Sequence, residues 1–429
     1  MSLNTAFESG LARIVNVRPG EARALLWSFA YFFCLLAGYY VLRPLRDEMG
    51  VAGGVRNLQW LFTATFFVML AAVPVFGALV ARLPRKRFVP VVYHFFVLNI
   101  AAFWLLLALD VEKVLVARVF FVWISVFSLF VVSVFWSFMS DLWSNEAGRR
   151  LFGFIAAGGS AGTLLGAGVA LSLAKPLGPV NLLVFAAVLL ELAVFCARRL
   201  ESAALEGGGQ AKAPEPAAIG GNWLAGLALV VRSRYLAGIA LWVALLSLAS
   251  TVLYFQQASI VAAASSDPAV RTQIFATIDL AVSVLTILVQ VLATGRLIRR
   301  FGVGPAAAAL PLVFALGFVA LALAPGLLVV VAFQALQRAT NFALSNPARE
   351  VLFTVVDREE KYKAKNVIDI VAFRGADAAS GWLFSALRGT GMELGAISLA
   401  TVPVAGLWLA LALGLGRAQE RRAQERRAP

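Results

Sequence analysis

Apolar positions in this chain come in long runs broken by short charged segments. The runs fall at roughly residues 23–45, 57–81, 88–109, 114–140, 151–173 and 179–197, then 236–263, 272–294, 303–323, 326–346, 366–388 and 392–415. Each is about 20 residues or longer, enough for a helix to cross the core of a bilayer. Backbone polar groups cannot stay unpaired in lipid, so helices are the expected spanning form. The pattern predicts an all-α polytopic membrane protein with twelve transmembrane helices. The first run starts near Arg23, is too long for a cleavable signal peptide and is followed by Arg43-Pro44-Leu45-Arg46, so no such peptide is expected.

The stretch 201–222, ESAALEGGGQAKAPEPAAIGGN, interrupts the pattern with Gly, Pro, Ala and charge, and reads as a flexible linker. It divides the chain into a six-span bundle over 1–200 and another over 223–416, with a basic tail over 417–429. Six plus six spans joined by a polar loop resemble the pseudo-symmetric major facilitator layout, in which a binding cavity lies between the halves near the membrane midplane.

Charge supports the span count and orients it. With the N-terminus in the cytoplasm, the seven cytoplasmic segments hold 27 of the 37 Lys and Arg residues. Eight more lie in external segments or their edges, and Arg338 and Arg374 lie inside spans. This asymmetry follows the positive-inside rule and places both termini in the cytoplasm, with a bacterial inner membrane as the expected location. The net charge of +14 is then mainly a topology signal, and no nucleic-acid partner is expected. The tail RAQERRAQERRAP is suited to anionic lipid. At 61% hydrophobic and 14% charged residues, the composition agrees with a membrane body.

Little in the chain suggests enzyme chemistry. Cys34 and Cys196 lie in apolar spans, lack metal-ligand spacing and read as small core residues; no disulfide is expected. The one histidine, His94, reads as a hydrogen-bonded packing residue, with a proton relay as the alternative, and Glu191 receives no role. One histidine and no acid cluster give no basis for hydrolytic metal catalysis, so neither a metal nor a cofactor is expected. GGSAGTLLG (158–166) is no phosphate loop, since no Gly-Lys-Ser/Thr follows. Its Gly158, Gly162 and Gly166 share one helix face and predict close packing of the fifth span on a neighbour.

The candidate chemistry lies in polar residues at membrane depth, where charge is expensive and usually faces protein or a wet cavity. The eighth span carries Asp279, Ser283, Thr286 and Gln290 on one face. The tenth carries Gln334, Arg338, Asn341 and Ser345 with the same spacing, bordered by Gln337. The eleventh carries Asp369, Arg374 and Asp377; Arg374 and Asp377, three apart, are spaced to pair. The seventh adds Gln256 and Gln257. In the first span GYYVLRPLRDEMG (38–50) places Arg43, Arg46 and Asp47 around the helix-bending Pro44. Snorkelling at the external edge and a role in a cavity both fit that arginine spacing. A guanidinium fork suits phosphate or carboxylate.

Three segments resemble the nucleotide transporter family, the ATP/ADP translocases of plastids and intracellular bacteria. They are Leu42-Arg43-Pro44-Leu45-Arg46-Asp47, the stretch FWSFMSDLWSNEAGRRLFGFIAAGGSAG (135–162), and the run Asn346-Pro347-Ala348-Arg349-Glu350, Val356-Asp357, Lys361, Lys363, Lys365 and Ile368-Asp369, extended by Ser380-Gly381. The chain departs from the family at Arg46, where the family has lysine, and at Asn346, where it has an acid. It also lacks an acid inside the fourth span, where Ser125 and Ser128 stand. The resemblance implies that the charged loop before the eleventh span serves substrate or gate. Within it Lys365 and Asp369, four apart, are spaced to pair.

The expected function is secondary transport of an anionic, phosphorylated metabolite, a nucleotide such as ATP or ADP by the resemblance, through alternating access. Expected substrate contacts are Arg43, Arg46, Arg338, Arg374, Asn341, Gln334 and Lys365. Asp47, Asp279, Asp369 and Asp377 are expected to balance charge or carry a coupling proton. Tyr39, Tyr40 or Trp136 would stack on a base. A monomer supplies both halves. A proton-coupled carrier of another anion or small chelate is the nearest alternative. A non-transporting scaffold or sensor is the alternative from another class, and the polar stripes argue against it.

Overall fold

A computed structural model describes residues 17–18, 20–82, 85–206, 223–294, 300 and 302–426. Most of the predicted linker, 207–222, and the end of the tail, 427–429, lie outside the described residues. The long helices are α1 (Ala22–Ala52), α2 (Leu58–Arg82), α3 (Arg85–Ala108), α4 (Lys113–Leu142), α5 (Asn145–Leu177), α6 (Leu182–Glu206), α7 (Arg234–Ala264), α8 (Pro268–Val289), α9 (Val303–Leu323), α10 (Leu327–Thr340), α11 (Phe373–Gly389) and α12 (Leu394–Glu425). Shorter helices Trp223–Arg232, Asn346–Leu352 and Arg358–Val367 lie between them, and no strand occurs among the described residues.

Among the described residues eleven helices are long and apolar enough to cross a membrane, so the chain is an integral multi-pass protein. The twelfth predicted span, 366–388, is helical too, as a π turn Ile368–Ala372 running into α11, but it is not among the eleven. Its Asp369, Arg374 and Asp377 explain the difference, because each charge lowers the hydropathy of the segment. Two further π turns extend α8 (Gln290–Thr294) and α10 (Asn341–Ser345). Such turns shift the helical phase by one residue.

The helices form two compact units. The first gathers described residues within Met1–Met49, Ala71–Ala217 and Asp267–Leu280; the second those within Gly50–Leu70, Ala218–Ser266 and Ala281–Pro429. Aromatic packing fills the first. Phe32 on α1 stacks on Phe135 on α4 with ring centroids 4.1 Å apart. The Tyr31 hydroxyl donates to the Tyr93 hydroxyl at 2.7 Å. Gly158, Gly162 and Gly166 behave as their spacing predicts. A Cβ at each would strike the main-chain carbonyl of Phe29, Phe33 or Ala37 on α1, so α5 lies directly against that backbone. Cys34 and Cys196 are buried and free.

In the second unit, α9 and α12 approach through Gly304 and Gly416, where a Cβ on Gly416 would collide with the Gly304 backbone. Trp408 of α12 lies beside Trp242 of α7 and Phe314 of α9, at centroid distances of 6.0 and 5.6 Å. Ser233 caps α7 by accepting the Leu236 N–H at 3.4 Å, and Ser144 caps α5 in the same way.

Candidate functional site

Helix α1 continues unbroken through Pro44 to Ala52, past the predicted end at residue 45. Arg43, Arg46, Asp47 and Glu48 therefore share one helix. Arg43 Nη1 lies 3.2 Å from Asp279 Oδ1 on α8, and the Asp279 side chain is 1% exposed. The Arg43 guanidinium also stands 5.5 Å from the Tyr40 ring centroid. Arg46 pairs with Asp47 at 3.1 Å and lies over the Phe121 ring at 4.1 Å, a cation–π arrangement. Tyr39 and Tyr40 meet edge to face at 5.5 Å, and Trp136 packs against Phe32 and Phe152.

In the second unit Arg374 and Asp377 pair as their spacing predicts, with Arg374 Nη1 3.3 Å from Asp377 Oδ2. Asp377 Oδ1 lies 2.6 Å from Ser247 Oγ and 3.0 Å from Thr251 Oγ1, both on α7. The predicted Lys365–Asp369 pair does not form. Asp369 sits inside the π turn and pairs with Arg349 at 3.2 Å, while Lys365 reaches Glu350 at 2.6 Å. The helix spacing that would align residues four apart fails where the turn inserts its extra residue.

The stripe on α10 is only partly paired. Gln334 Oε1 accepts the Gln337 Nε2 proton at 2.7 Å, and both side chains are buried. Arg338 is half-buried one turn before the π turn that begins at Asn341. Asn341 Oδ1, Ser345 Oγ and, on α8, Thr286 Oγ1 are buried without a hydrogen bond from the described residues. Buried polar atoms are nearly always satisfied, so these three are left to partners other than the described protein atoms, water among them. Gln256 on α7 is fully buried with Oε1 2.9 Å from Ser398 Oγ on α12, and Gln257 is buried beside it. Among the described residues no group of three or more His, Cys, Asp or Glu is placed to hold a metal.

Three solved structures share this architecture. One is an autoinhibited peptide transporter of the POT family, 14% identical, with a TM-score of 0.63 over 93% of this chain and 97% of that one. A second is a bacterial homologue of the human lysosomal transporter Spinster, 14% identical, with a TM-score of 0.60 over 95% and 99%. A third is the nucleoside transporter NupG, 15% identical, with a TM-score of 0.58 over 94% and 99%. This is the major facilitator fold. No family model and no curated protein sequence matches the chain.

Two polar pairs of this chain escape the sequence pattern. Glu48, 1% exposed, takes two hydrogen bonds from Arg271, whose partner segment at the start of α8 is 223 residues away. Extending α1 by two turns would have brought Glu48 to membrane depth and demanded a partner. His94 Nδ1 lies 2.8 Å from Glu191 Oε1, which gives Glu191 the partner that spacing alone did not supply. His94 Nε2 is 3.4 Å from Arg198.

Proposed function

We propose that the chain is a secondary transporter of an anionic, phosphorylated metabolite, a nucleotide such as ATP or ADP by its resemblance to nucleotide translocases, working by alternating access. One observation carries the reading. Each unit holds an arginine at membrane depth whose partner is a buried aspartate, Arg43 with Asp279 and Arg374 with Asp377. Buried ion pairs are weak stabilisers, because desolvation offsets most of the attraction. A guanidinium, however, offers a fork for phosphate or carboxylate oxygens, and an arriving anion competes with the aspartate for it.

In this reading Arg43, Arg46, Arg338, Arg374 and Lys365 supply positive charge to the substrate, and Gln334 and Asn341 supply neutral contacts. Asp47, Asp279, Asp369 and Asp377 balance the arginines when the anion leaves. The six-span halves 1–200 and 223–416 would work as one monomer with both termini in the cytoplasm of a bacterial inner membrane. The structural neighbours, described as transporters of peptides and nucleosides, favour a carrier over an enzyme or scaffold.

Purified protein in liposomes loaded with unlabelled ATP should exchange it for external labelled ATP or ADP. Absence of exchange removes the nucleotide assignment. A second reading, a proton-coupled carrier of another anion, is favoured by the hydroxyl groups gathered on Asp377. It predicts uptake driven by a pH gradient with no counter-substrate inside.

A further inference from the structure

Ser247 Oγ stands between two oxygens. It is 2.7 Å from the main-chain carbonyl oxygen of Phe373 and 2.6 Å from Oδ1 of Asp377. Both separations are those of full hydrogen bonds, since O–H···O distances centre on about 2.7–2.8 Å. A serine hydroxyl has one proton. A carbonyl oxygen has none to give, and neither has an ionised carboxylate. Two such contacts need two protons, and the second has one available source, the Asp377 carboxyl.

Ser398 shows the contrast. It too lies between two oxygens, Gln256 Oε1 at 2.9 Å and Leu394 O at 3.1 Å. There the amide has protons of its own and can turn one to the hydroxyl. Asp377 has no amide to turn.

With the proton in place every group is satisfied. Asp377 Oδ1–H donates to Ser247 Oγ, Ser247 donates to the Phe373 carbonyl, and Thr251 donates to Oδ1 at 3.0 Å. Arg374 then meets only the neutral carbonyl oxygen Oδ2, at 3.3 Å. Around the carboxyl, α7 presents the hydroxyls of Ser247 and Thr251, and α11 presents Arg374. The π turn holds Asp369, which faces Arg349, and α12 has no charged residue before Arg417.

We propose that Asp377 is a proton-binding site that controls Arg374. With the proton on Oδ1 the guanidinium is available to an anion. When the proton leaves to solvent, the carboxylate takes Arg374 as its ion-pair partner. Combined with the transport reading above, on which this second step rests, proton and anion are bound together and released together. The proton site itself stands apart from any substrate.

The test separates the two. Infrared difference spectra of purified protein at neutral pH should contain the carbonyl stretch of a protonated carboxyl. That band should disappear in Asp377→Asn, persist in Asp369→Asn, and shift in Ser247→Ala, which removes the acceptor of the carboxyl proton. Asparagine fits the same contacts, so the fold is kept, and size-exclusion chromatography checks it. A spectrum in which the Asp377→Asn variant keeps the whole band overturns the proposal. For the coupling step, the thermal shift given by ATP and by inorganic phosphate should grow as pH falls in the wild type. In Asp377→Asn it should keep only the dependence that protonation of the phosphates themselves gives, measured against buffer controls. A wild-type dependence no steeper than that of Asp377→Asn removes the control of Arg374. A band that depends on Asp377, with no flux of any anion in liposomes, leaves the proton site standing and removes the carrier.

Discussion

Glu48 on α1 holds one edge of the Arg271 guanidinium through both carboxylate oxygens, with Nε 2.7 Å from Oε2 and Nη2 2.6 Å from Oε1. The side chains are 1% and 11% exposed, so neither charge has water to fall back on. Removing one partner strands the other, at a cost of about 3–5 kcal/mol. Glu48→Gln and Arg271→Met should each lower the melting temperature and the yield of purified protein. The double variant Glu48→Leu with Arg271→Met should recover much of that stability, because it strands no charge. A double variant less stable than either single one would show that the pair contributes more than its desolvation takes away.

Arg43 and Asp279 differ from that pair in lying farther apart, at 3.2 Å, with Arg43 20% exposed. A looser pair is easier for an anion to open. Arg43→Lys keeps the charge and loses the fork. Transport by this variant should fall at least tenfold, equivalent to about 1.4 kcal/mol of lost binding. Exchanging the two residues, Arg43→Asp with Asp279→Arg, should restore thermal stability toward the wild type and leave transport abolished. Wild-type flux in the exchanged protein would assign the pair to structure alone.

The helices and the glycine face of α5 are legible in the sequence because each depends on residues close along the chain. A run of apolar residues or a spacing of four is a local property, and lipid enforces it. The pairing of Arg374 with Asp377 is legible for the same reason, since no π turn falls between them. Lys365 and Asp369 fail because Asp369 lies within such a turn, and nothing in the local composition announces it. Spacing places Ser345 on the stripe with Asn341, but the turn Asn341–Ser345 shifts the phase between them. Glu48 with Arg271, and His94 with Glu191, are contacts between distant helices, which periodicity cannot report.

Gly162 tests the close packing of α5 on α1. A side chain there meets the carbonyl of Phe33, a backbone atom that cannot turn aside. Gly162→Val should sharply reduce folded protein in the membrane fraction. Gly168, six residues on from Gly162 and on another face of the same helix, has nothing within 4 Å of its Cβ position. Gly168→Ala should be tolerated, and should raise stability by up to about 1 kcal/mol through the lower flexibility of the unfolded chain. Equal loss from both substitutions would place the effect in the helix itself and not in the packing.

Glu21, just before α1, gives a stability effect whose pH dependence has a definite sign. Burial works against its charge, but Arg150 outweighs it through hydrogen bonds at 2.9 and 3.2 Å, and the Arg18 N–H adds a third at 2.9 Å. Together they hold the carboxyl below its ordinary value of 4.5. A carboxyl lowered in the folded state contributes stability above its unfolded value and loses that contribution as pH falls through the folded value. The wild type should therefore be more stable than Glu21→Gln at neutral pH, by a modest amount because the pair is partly solvated. Below the ordinary glutamate value the difference should shrink, and it should vanish once the folded carboxyl is protonated. Melting temperatures of the two proteins, measured in parallel from neutral to acid pH, isolate this group from the other acids. A difference that stays constant across that range would mean that Glu21 acts by packing and not by its charge.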